Sequence, residues 1–312
     1  MSAVVDVALP VFAIMLAGFL AGRSRILGEA SSEALNAFVY WFALPPVLFL
    51  SLATVPLAEV FNWPFIWTFM IGMAAVALPS VLVAKFLFPN TFAGLTLHGL
   101  TAIFANTGYM GIPLFIAAFG PEGTLPAVIA TAVNSAVIIG LSILFVEIGA
   151  GSGRTPHKVL ADAMLAVVRG PLFLAPLAGI LWSWAGLGLP VWLENFAGLM
   201  GAAAGPCALF AMGLFMVGKP LSAGAGEVGW MVGAKLIVHP LITWWLAVSV
   251  FDLEFELVRG VVLMAALPTG ALSFVIAQKY GIFVQRSSAA ILVSTVLSVF
   301  TVSALLAWFG TG

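Results

Sequence analysis

The chain has 312 residues, of which 63% are apolar and only 7% are charged, against about 25% charged residues in ordinary soluble domains. This composition excludes a soluble fold, because a water-exposed domain of this length could not bury so many apolar side chains. The formal net charge of −1 provides no basic surface for nucleic acid, and the single cysteine, Cys207, excludes a disulfide framework and a cysteine-based metal cluster.

Ten apolar stretches come close to the ~20 residues that a helix needs to cross the hydrocarbon of a bilayer. The first lacks a basic segment before it and a small-residue cleavage site after it, which favours a retained span over a signal peptide. The stretches are apolar on every face, unlike the strands of a membrane barrel, so an all-α membrane protein is predicted. The predicted spans are residues 4–22, 36–53, 62–86, 94–119, 124–149, 160–184, 190–218, 228–250, 257–279 and 287–309.

The charged residues indicate how these spans are oriented. Lys and Arg, such as Arg23 and Lys85, lie in the loops after odd-numbered spans, whereas acidic residues such as Glu59 and Glu122 lie after even-numbered spans, with Arg259 as the exception. Because positively charged loops stay in the cytoplasm, we predict a multi-pass protein of the cell inner (plasma) membrane. Both termini are then periplasmic or extracellular.

A shift of 161 residues aligns the sequence with itself. It places Pro10 on Pro171 and Pro79 on Pro240, and further matches continue along the half-chain. We interpret this as a duplication: residues 1–149 form a first five-helix repeat, residues 150–159 a cytoplasmic connecting loop, and residues 160–312 a second repeat. Because each repeat has an odd number of spans, the second is inverted, as in many secondary transporters.

The fourth and ninth spans are the equivalent helices of the two repeats, and each carries a proline near its middle beside small, hydroxyl or amide residues. Proline removes a backbone N–H and glycine eases unwinding, so both helices are expected to break and to form a substrate site near the midplane. Simple kinks are the alternative. The predicted substrate-binding residues are Asn106, Thr107, Gly108, Pro113, Pro268, Thr269, Gly270 and Ser273, with Asn134 of the fifth span as a further cavity residue.

Three basic side chains in or near the spans are candidates for coupling or for a counter-charge: Lys235, His239 and Arg169. Each has an alternative reading. Lys235 could extend its amine to the cytoplasmic interface, His239 could be a core histidine, and Arg169 could form a structural ion pair with Asp162. For Asn134, hydrogen bonding between helices is an equally good explanation.

The two broken segments resemble the paired crossover motifs of the auxin efflux carrier family. In the first, Asn106-Thr107 precedes Met110-Gly111-Ile112-Pro113-Leu114, and in the second Ala266-Leu267-Pro268 precedes Gly270, Phe274, Ala277 and Tyr280. The resemblance covers nearly the whole chain. It implies ten helices in a scaffold bundle and a transport bundle, with helices 4 and 9 crossed as in the NhaA antiporter and bile-acid symporters. It also implies elevator-like alternating access and an organic anion at the crossover, where Asn106 matches a substrate-contacting asparagine.

The sequence departs from the plant members of that family at Gly170-Pro171-Leu172, where they have Asn-Pro-Asn, and at Thr269, where they have Gln. Auxin is therefore not the expected substrate. We predict a secondary transporter of a small organic anion, a carboxylate or malonate-like dicarboxylate. The alternatives are a sodium-coupled, bile-acid-type organic anion symporter and, from another class, an anion-binding receptor or channel.

An enzyme is not expected, because no motif of a hydrolase or metalloprotease is present. No cofactor and no bound metal are predicted, and coupling to protons or to Na⁺ is left open. The expected partners are the small organic anion and the lipid bilayer, with a homodimer as one option and no nucleic acid.

Overall fold

The computed structural model describes residues 9–149, 155–218 and 224–310, and most of them lie in helices. No strand occurs in these ranges; there is only an isolated antiparallel bridge between Ala105 and Thr269. The helices are α1 (Leu9–Arg23), α2 (Glu29–Phe38), α3 (Leu44–Ala53), α4 (Leu57–Val60), α5 (Trp63–Leu87), α6 (Phe92–Ile103), α7 (Ile112–Phe119), α8 (Leu125–Val133), α9 (Ile139–Gly149), α10 (Pro156–Arg169), α11 (Pro171–Trp184), α12 (Val191–Phe215), α13 (Ala225–Gly233), α14 (His239–Trp245), α15 (Phe255–Ala266), α16 (Leu272–Tyr280) and α17 (Val284–Phe309).

Part of the predicted connecting loop, residues 150–154, and both chain ends, residues 1–8 and 311–312, lie outside the described residues. The predicted positions of the termini therefore stay a prediction, as do the domain boundaries at 150–159.

Five helical segments among the described residues are long and apolar enough to cross a membrane without interruption. They correspond to the second, third, seventh, eighth and tenth predicted spans. Most of the other predicted spans contain shorter apolar helices, so a count of ten spans stays a prediction. The five long segments are Ala30–Ala53, Trp63–Leu87, Val191–Phe215, Ala225–Val250 and Val284–Phe309.

The prediction of one continuous sixth span over 160–184 is wrong, because the chain breaks at Gly170. Helix α10 ends at Arg169 and α11 begins at Pro171, with Gly170 in an extended conformation (φ −74°, ψ 141°). The ring of a proline disfavours helical geometry in the residue before it. Only the 14 residues of α11 are then left as the apolar helix of this span.

Wide π-helical turns precede three of the prolines. They cover Val39–Ala43, Thr107–Gly111 and Ala234–Val238, and each ends two residues before a proline, at Pro45, Pro113 and Pro240. A proline cannot donate to the carbonyl four residues before it, and a π turn re-pairs the chain with a wider hydrogen-bonding ring. These prolines therefore widen their helices without ending them. Two further π turns, Asn134–Ile138 and Leu246–Val250, have no such proline.

The helices pack in two groups. In a flanking bundle, α1 lies along α12 and α3 lies along α11, and α2 also packs on α12. In a crossover bundle, α5 packs on α6 and α14, α15 packs on α8, α14 and α17, and α16 packs on α6 and α17. The two groups meet mainly where α12 touches α7 and the π turn before it, and where α3 touches α8.

Glycines bring the flanking helices close together at two related positions. A methyl group on Gly18 of α1 would overlap the carbonyl oxygen of Phe210 in α12, and one on Gly179 of α11 would lie 2.6 Å from the carbonyl oxygen of Phe49 in α3. Small residues permit such close backbone approach between membrane helices. Gly18 and Gly179 are 161 residues apart, and so are Phe49 and Phe210. The two contacts are thus related by the spacing seen in the sequence.

Candidate crossover site

The fourth and ninth predicted spans are both interrupted, and they pair with each other at the interruptions. The backbone N–H of Asn106 donates to the carbonyl of Pro268 (2.9 Å), and the N–H of Gly270 donates to the carbonyl of Phe104 (2.9 Å). With the bridge between Ala105 and Thr269, these bonds form a short antiparallel pair. Non-helical backbone inside a membrane protein needs such partners, because hydrocarbon offers none.

The ninth span breaks at its proline. Helix α15 ends at Ala266, and Leu267 before Pro268 is extended (φ −60°, ψ 150°), as expected for a residue that precedes proline. The fourth span breaks without a proline: α6 ends at Ile103, and Phe104 is extended (φ −68°, ψ 102°).

Pro113 therefore does not mark the break that its position in the fourth span suggested. It is buried in the first turn of α7, after the π turn, and does not line the cavity described below.

Gly270 is required at the crossing because the two interrupted segments of the chain approach each other closely there. A Cβ atom on Gly270 would lie 2.7 Å from the ring of Phe104 and 3.3 Å from the carbonyl oxygen of Ala105. By contrast, the nearest atom to a Cβ on Gly108 would be 3.7 Å away, in Thr131. The predicted glycines thus have different roles, since one permits the crossing and the other leaves space beside it.

A cavity of about 760 Å³ lies between the two bundles and is bounded on one side by the crossing. The flanking bundle contributes residues of α2, of the π turn after it, of α12 and Leu172 of α11. The crossover bundle contributes the segment Phe104–Tyr109 and residues of α8, α16 and the π turn at Asn134. The cavity also reaches Leu27, Gly28, Val217 and Gly218, in the turns that follow α1 and α12. It therefore extends from the crossing to one end of the bundle.

Asn106 and Asn134 both line the cavity, with different hydrogen bonding. The side-chain NH₂ of Asn134 donates to the carbonyl of Ala105 (3.2 Å) and to the hydroxyl of Thr107 (3.3 Å), so it supports the unwound segment. The side-chain amide of Asn106 bonds to no other described residue, although its side chain is only 4% exposed. Asn106 thus offers both donor and acceptor groups beside the cavity, whereas Asn134 has only its side-chain oxygen left without a partner.

Four backbone N–H groups at this cavity also lack a partner among the described residues. Those of Gly108 and Tyr109 lie at the start of the π turn, and those of Ala271 and Leu272 lie at the start of α16. All four residues line the cavity. The first N–H groups of a helix have no intrahelical acceptor and carry partial positive charge, so they attract anions. Two helix starts from different halves of the chain thus lie at one cavity.

Three other predicted residues of the ninth span stabilise the crossing and do not line the cavity. The N–H of Thr269 donates to the hydroxyl of Ser294 (3.1 Å), and the hydroxyl of Thr269 donates to the carbonyl of Thr101 (2.9 Å). The hydroxyl of Ser273 donates to the carbonyl of Gly270 (2.9 Å), and Pro268 accepts from Asn106. The structure thus brings these residues to the crossing, behind the cavity wall.

The three predicted basic residues all lie away from the cavity. Arg169 is exposed at the end of α10. Lys235 and His239 are completely buried in the crossover bundle, with the lysine Nζ 3.2 Å from the histidine Nδ1. The alternative in which Lys235 extends to the membrane interface is therefore wrong, because its amine bonds inside the bundle, to the carbonyl of Ala265.

Sequence reasoning missed several polar residues of the cavity. Glu33, Asn36 and Tyr40 come from the segment Ala30–Ala53, and the hydroxyl of Tyr109 donates to the carbonyl of Asn36 (3.4 Å). Gln278 comes from α16, where Ala271, Val275 and Gln278 share one face of the helix. Helical spacing counted from Ala271, next to the break, would have predicted Gln278 as a cavity residue in place of Ser273. The residues of the segment Ala30–Ala53 have no comparable signal, because only the packing of the two bundles brings them to the crossing.

Charge is scarce in this cavity. Glu33 is the one charged residue among the described lining residues, and its side chain is exposed toward the end of the bundle. The polar groups near the crossing are neutral amides, hydroxyls and backbone N–H groups. Such donors can hold a carboxylate without placing a second full charge at membrane depth, where charged side chains are costly.

Comparison with known proteins identifies relatives along nearly the whole chain. A family model described as membrane transport protein matches residues 3–306. A protein of Rhizobium meliloti, provisionally named a malonate transporter, is 32% identical over 98% of this chain and 96% of its own length. The uncharacterized transporter YfdV of Escherichia coli is 25% identical over 92% of this chain and 91% of its own length. An auxin efflux carrier component of Oryza sativa is 25% identical over 46% of this chain and 28% of its own length.

The family and the names of these relatives indicate a membrane transporter and not an enzyme, in agreement with the apolar helices of the fold. The resemblance of the crossover motifs to auxin efflux carriers is confirmed as well. The chain belongs to the membrane transport protein family that includes the auxin efflux carriers, and it is a membrane transporter.

Proposed function

We propose that this transporter carries a small organic anion, a carboxylate or malonate-like dicarboxylate, by alternating access. The observation that carries the proposal is the meeting at one cavity of four backbone N–H groups and the side-chain amide of Asn106, none of which has a hydrogen-bond partner among the described residues. One substrate carboxylate accepts hydrogen bonds from these groups. The nearly full-length relative named for malonate supports this class of cargo.

The expected binding energy fits a carrier that must also release its cargo. A hydrogen bond to a charged group contributes about 1.5–3 kcal/mol, and each helix start adds about 0.3–2 kcal/mol toward an anion. Several such terms, reduced by the loss of hydration and of freedom on binding, favour micromolar to millimolar affinity. A Lys or Arg in direct contact with the anion would hold it more firmly and release it more slowly.

The proposed fold has ten membrane spans in two inverted five-helix repeats. Support comes from the related glycine contacts, in which Gly18 meets Phe210 and Gly179 meets Phe49. Asn106 and Pro268, which are also equivalent when the offset slips by one residue, bond directly to each other. The five-helix repeats explain why α1 with α12 and α3 with α11 form matching pairs.

In this proposal the cavity opens to the cytoplasm. It reaches the turns after α1 and α12, and the positive residues that follow the odd-numbered spans assign both turns to the cytoplasmic side. The structure then represents an inward-facing state, in the inner membrane, with periplasmic ends. Reporter fusions after Gly310 test the orientation: alkaline phosphatase should be active there, and a fluorescent cytoplasmic fusion would contradict it.

Malonate exchange in proteoliposomes tests the function. Purified protein should exchange internal unlabelled malonate for external labelled malonate, with saturation and with acceleration by malonate on the other side. A receptor would bind malonate without moving it, and a channel would not show saturable exchange. Exchange that requires Na⁺ would favour a symporter of the bile-acid type.

A further inference from the structure

Lys235 is the most unusual residue of the crossover bundle. It lies in the π turn Ala234–Val238 with a fully buried side chain, although burial of a lysine inside a membrane bundle is costly unless its charge is compensated. Its Nζ donates to the backbone carbonyl of Ala265 and lies 3.2 Å from Nδ1 of His239. The cavity does not include it. Lys235 therefore lies at the crossing on the side away from the cavity, without contact to the proposed substrate.

No carboxylate among the described residues lies within ion-pair distance of Lys235. The π turn packs against α5, α6, α13, α14, α15 and α17. The charged or titratable side chains of these helices are engaged with one another or lie at the helix ends, except His239. His98 and Arg286 both bind Glu227, Glu256 pairs with Arg259, and Lys85 is exposed at the end of α5.

The compensating negative charge is that of a helix end. Ala265 is in the last turn of α15, which stops at Ala266 because the chain breaks there. The last four carbonyls of a helix have no intrahelical donor, and together they carry about half a negative charge. In transporters with broken helices, such carbonyl ends coordinate the coupling cation. In this chain the side-chain amine of Lys235 donates to one of these carbonyls, that of Ala265.

We propose that the Lys235 ammonium is a tethered cation that takes the place of a coupling Na⁺ at the C-terminal end of α15, so that anion binding needs no Na⁺. The inference rests on the proposed anion site at the same crossing. The substrate faces the starts of the π turn at Thr107 and of α16, while Lys235 faces the end of α15. The positive charge that favours the anion is then supplied by the chain itself, and Lys235 is a positioning residue for the crossover.

Binding of malonate to purified protein tests this in NaCl and in choline chloride. The variants are Lys235→Met, which keeps the length and loses the charge, Lys235→Arg, which keeps the charge, and Lys85→Met as an exposed control. We expect wild-type affinity to be the same in both salts. Lys235→Met should bind at least about tenfold more weakly, a change equal to 1.4 kcal/mol, whereas Lys235→Arg should bind more tightly than Lys235→Met. A wild-type protein that binds malonate only with Na⁺, or a Lys235→Met variant with wild-type affinity, would overturn the proposal.

A second measurement needs no substrate and does not depend on whether the variants still bind malonate. Thermal stability without malonate is compared for the wild type and for Lys235→Ala, which leaves a space that propylammonium or Na⁺ can fill. We expect either cation to raise the melting temperature of Lys235→Ala but not that of the wild type, relative to choline. Stabilisation of the wild type by Na⁺, or none of the variant by either cation, would contradict a tethered cation. Absence of malonate binding in every protein would instead refute the proposed substrate, and this stability comparison would still decide the role of Lys235.

Discussion

The two interruptions that form the crossover are built differently, although each pairs its backbone with the other. In the ninth span, Thr269 is bonded to Ser294 and to Thr101, and Ser273 is bonded to Gly270. In the fourth span, the amide of Asn106 has no partner among the described residues. One interruption therefore holds the crossing together, and the other presents polar groups to the cavity.

This difference separates stability from recognition. Variants of the ninth-span interruption should lower the amount and stability of folded protein, while variants of the fourth-span interruption should weaken substrate binding in a protein that folds normally. Four substitutions test this division, and their expected effects decrease from Gly270→Ala to Pro113→Ala. Thermal unfolding in detergent and malonate binding are the two measurements.

The largest effect is expected for Gly270→Ala. The new methyl group would meet the Phe104 ring and the Ala105 carbonyl, which cannot withdraw without breaking the antiparallel pair. Overpacking of this kind costs about 1–3 kcal/mol, and we expect a lower melting temperature and loss of malonate transport. Gly108→Ala is the matched control, because its methyl group has room, and its melting temperature should equal that of the wild type. Equal stability of both variants would contradict the close approach at Gly270.

Asn106→Asp should reduce malonate affinity by at least about tenfold, equal to 1.4 kcal/mol. The carboxylate that replaces the amide only accepts hydrogen bonds, so it repels an anion as well as losing the donor. The melting temperature without ligand should change little. Asn195→Asp, on an exposed part of α12, makes the same change in charge away from the cavity and should bind normally. If Asn106→Asp binds malonate as the wild type does, the anion site lies elsewhere.

Thr269→Val tests the holding role of the ninth-span interruption. It keeps the side-chain shape and removes the hydroxyl that donates to the carbonyl of Thr101. An unpaired buried carbonyl costs about 1–3 kcal/mol, so the melting temperature should fall while the folded protein keeps its affinity for malonate. Thr96→Val, which removes a hydroxyl bonded to the carbonyl of Phe92 within α6, should be closer to the wild type. A weaker affinity without loss of stability would place Thr269 in recognition.

Pro113→Ala should have the smallest effect. Pro113 lies outside the break and the cavity, so exchange of malonate should stay near the wild-type rate. Stability should fall by only about 0.4–1 kcal/mol, because alanine gives the unfolded chain more freedom. Pro268→Ala is the comparison, since this proline lies in the break itself, and it should reduce exchange more strongly. If both variants lose malonate exchange to the same extent, Pro113 contributes to transport as much as Pro268 does.

The sequence by itself determined what depended on local chemistry. The apolar stretches identified a membrane protein, and Pro268 located the ninth-span break because proline acts on its own backbone and on the residue before it. The crossover motifs identified the family.

What depended on contacts between distant segments was decided only in the tertiary structure. The fourth span breaks at Phe104, where the backbone can pair with residues near Pro268, about 160 positions away. Lys235 lies inside the bundle because the interruption of α15 leaves a free carbonyl there. The faces of α2 and α12 that complete the cavity likewise depend on the packing of the two bundles. A linear pattern records which groups a segment has available, but their partners depend on which segments the fold brings within bonding distance.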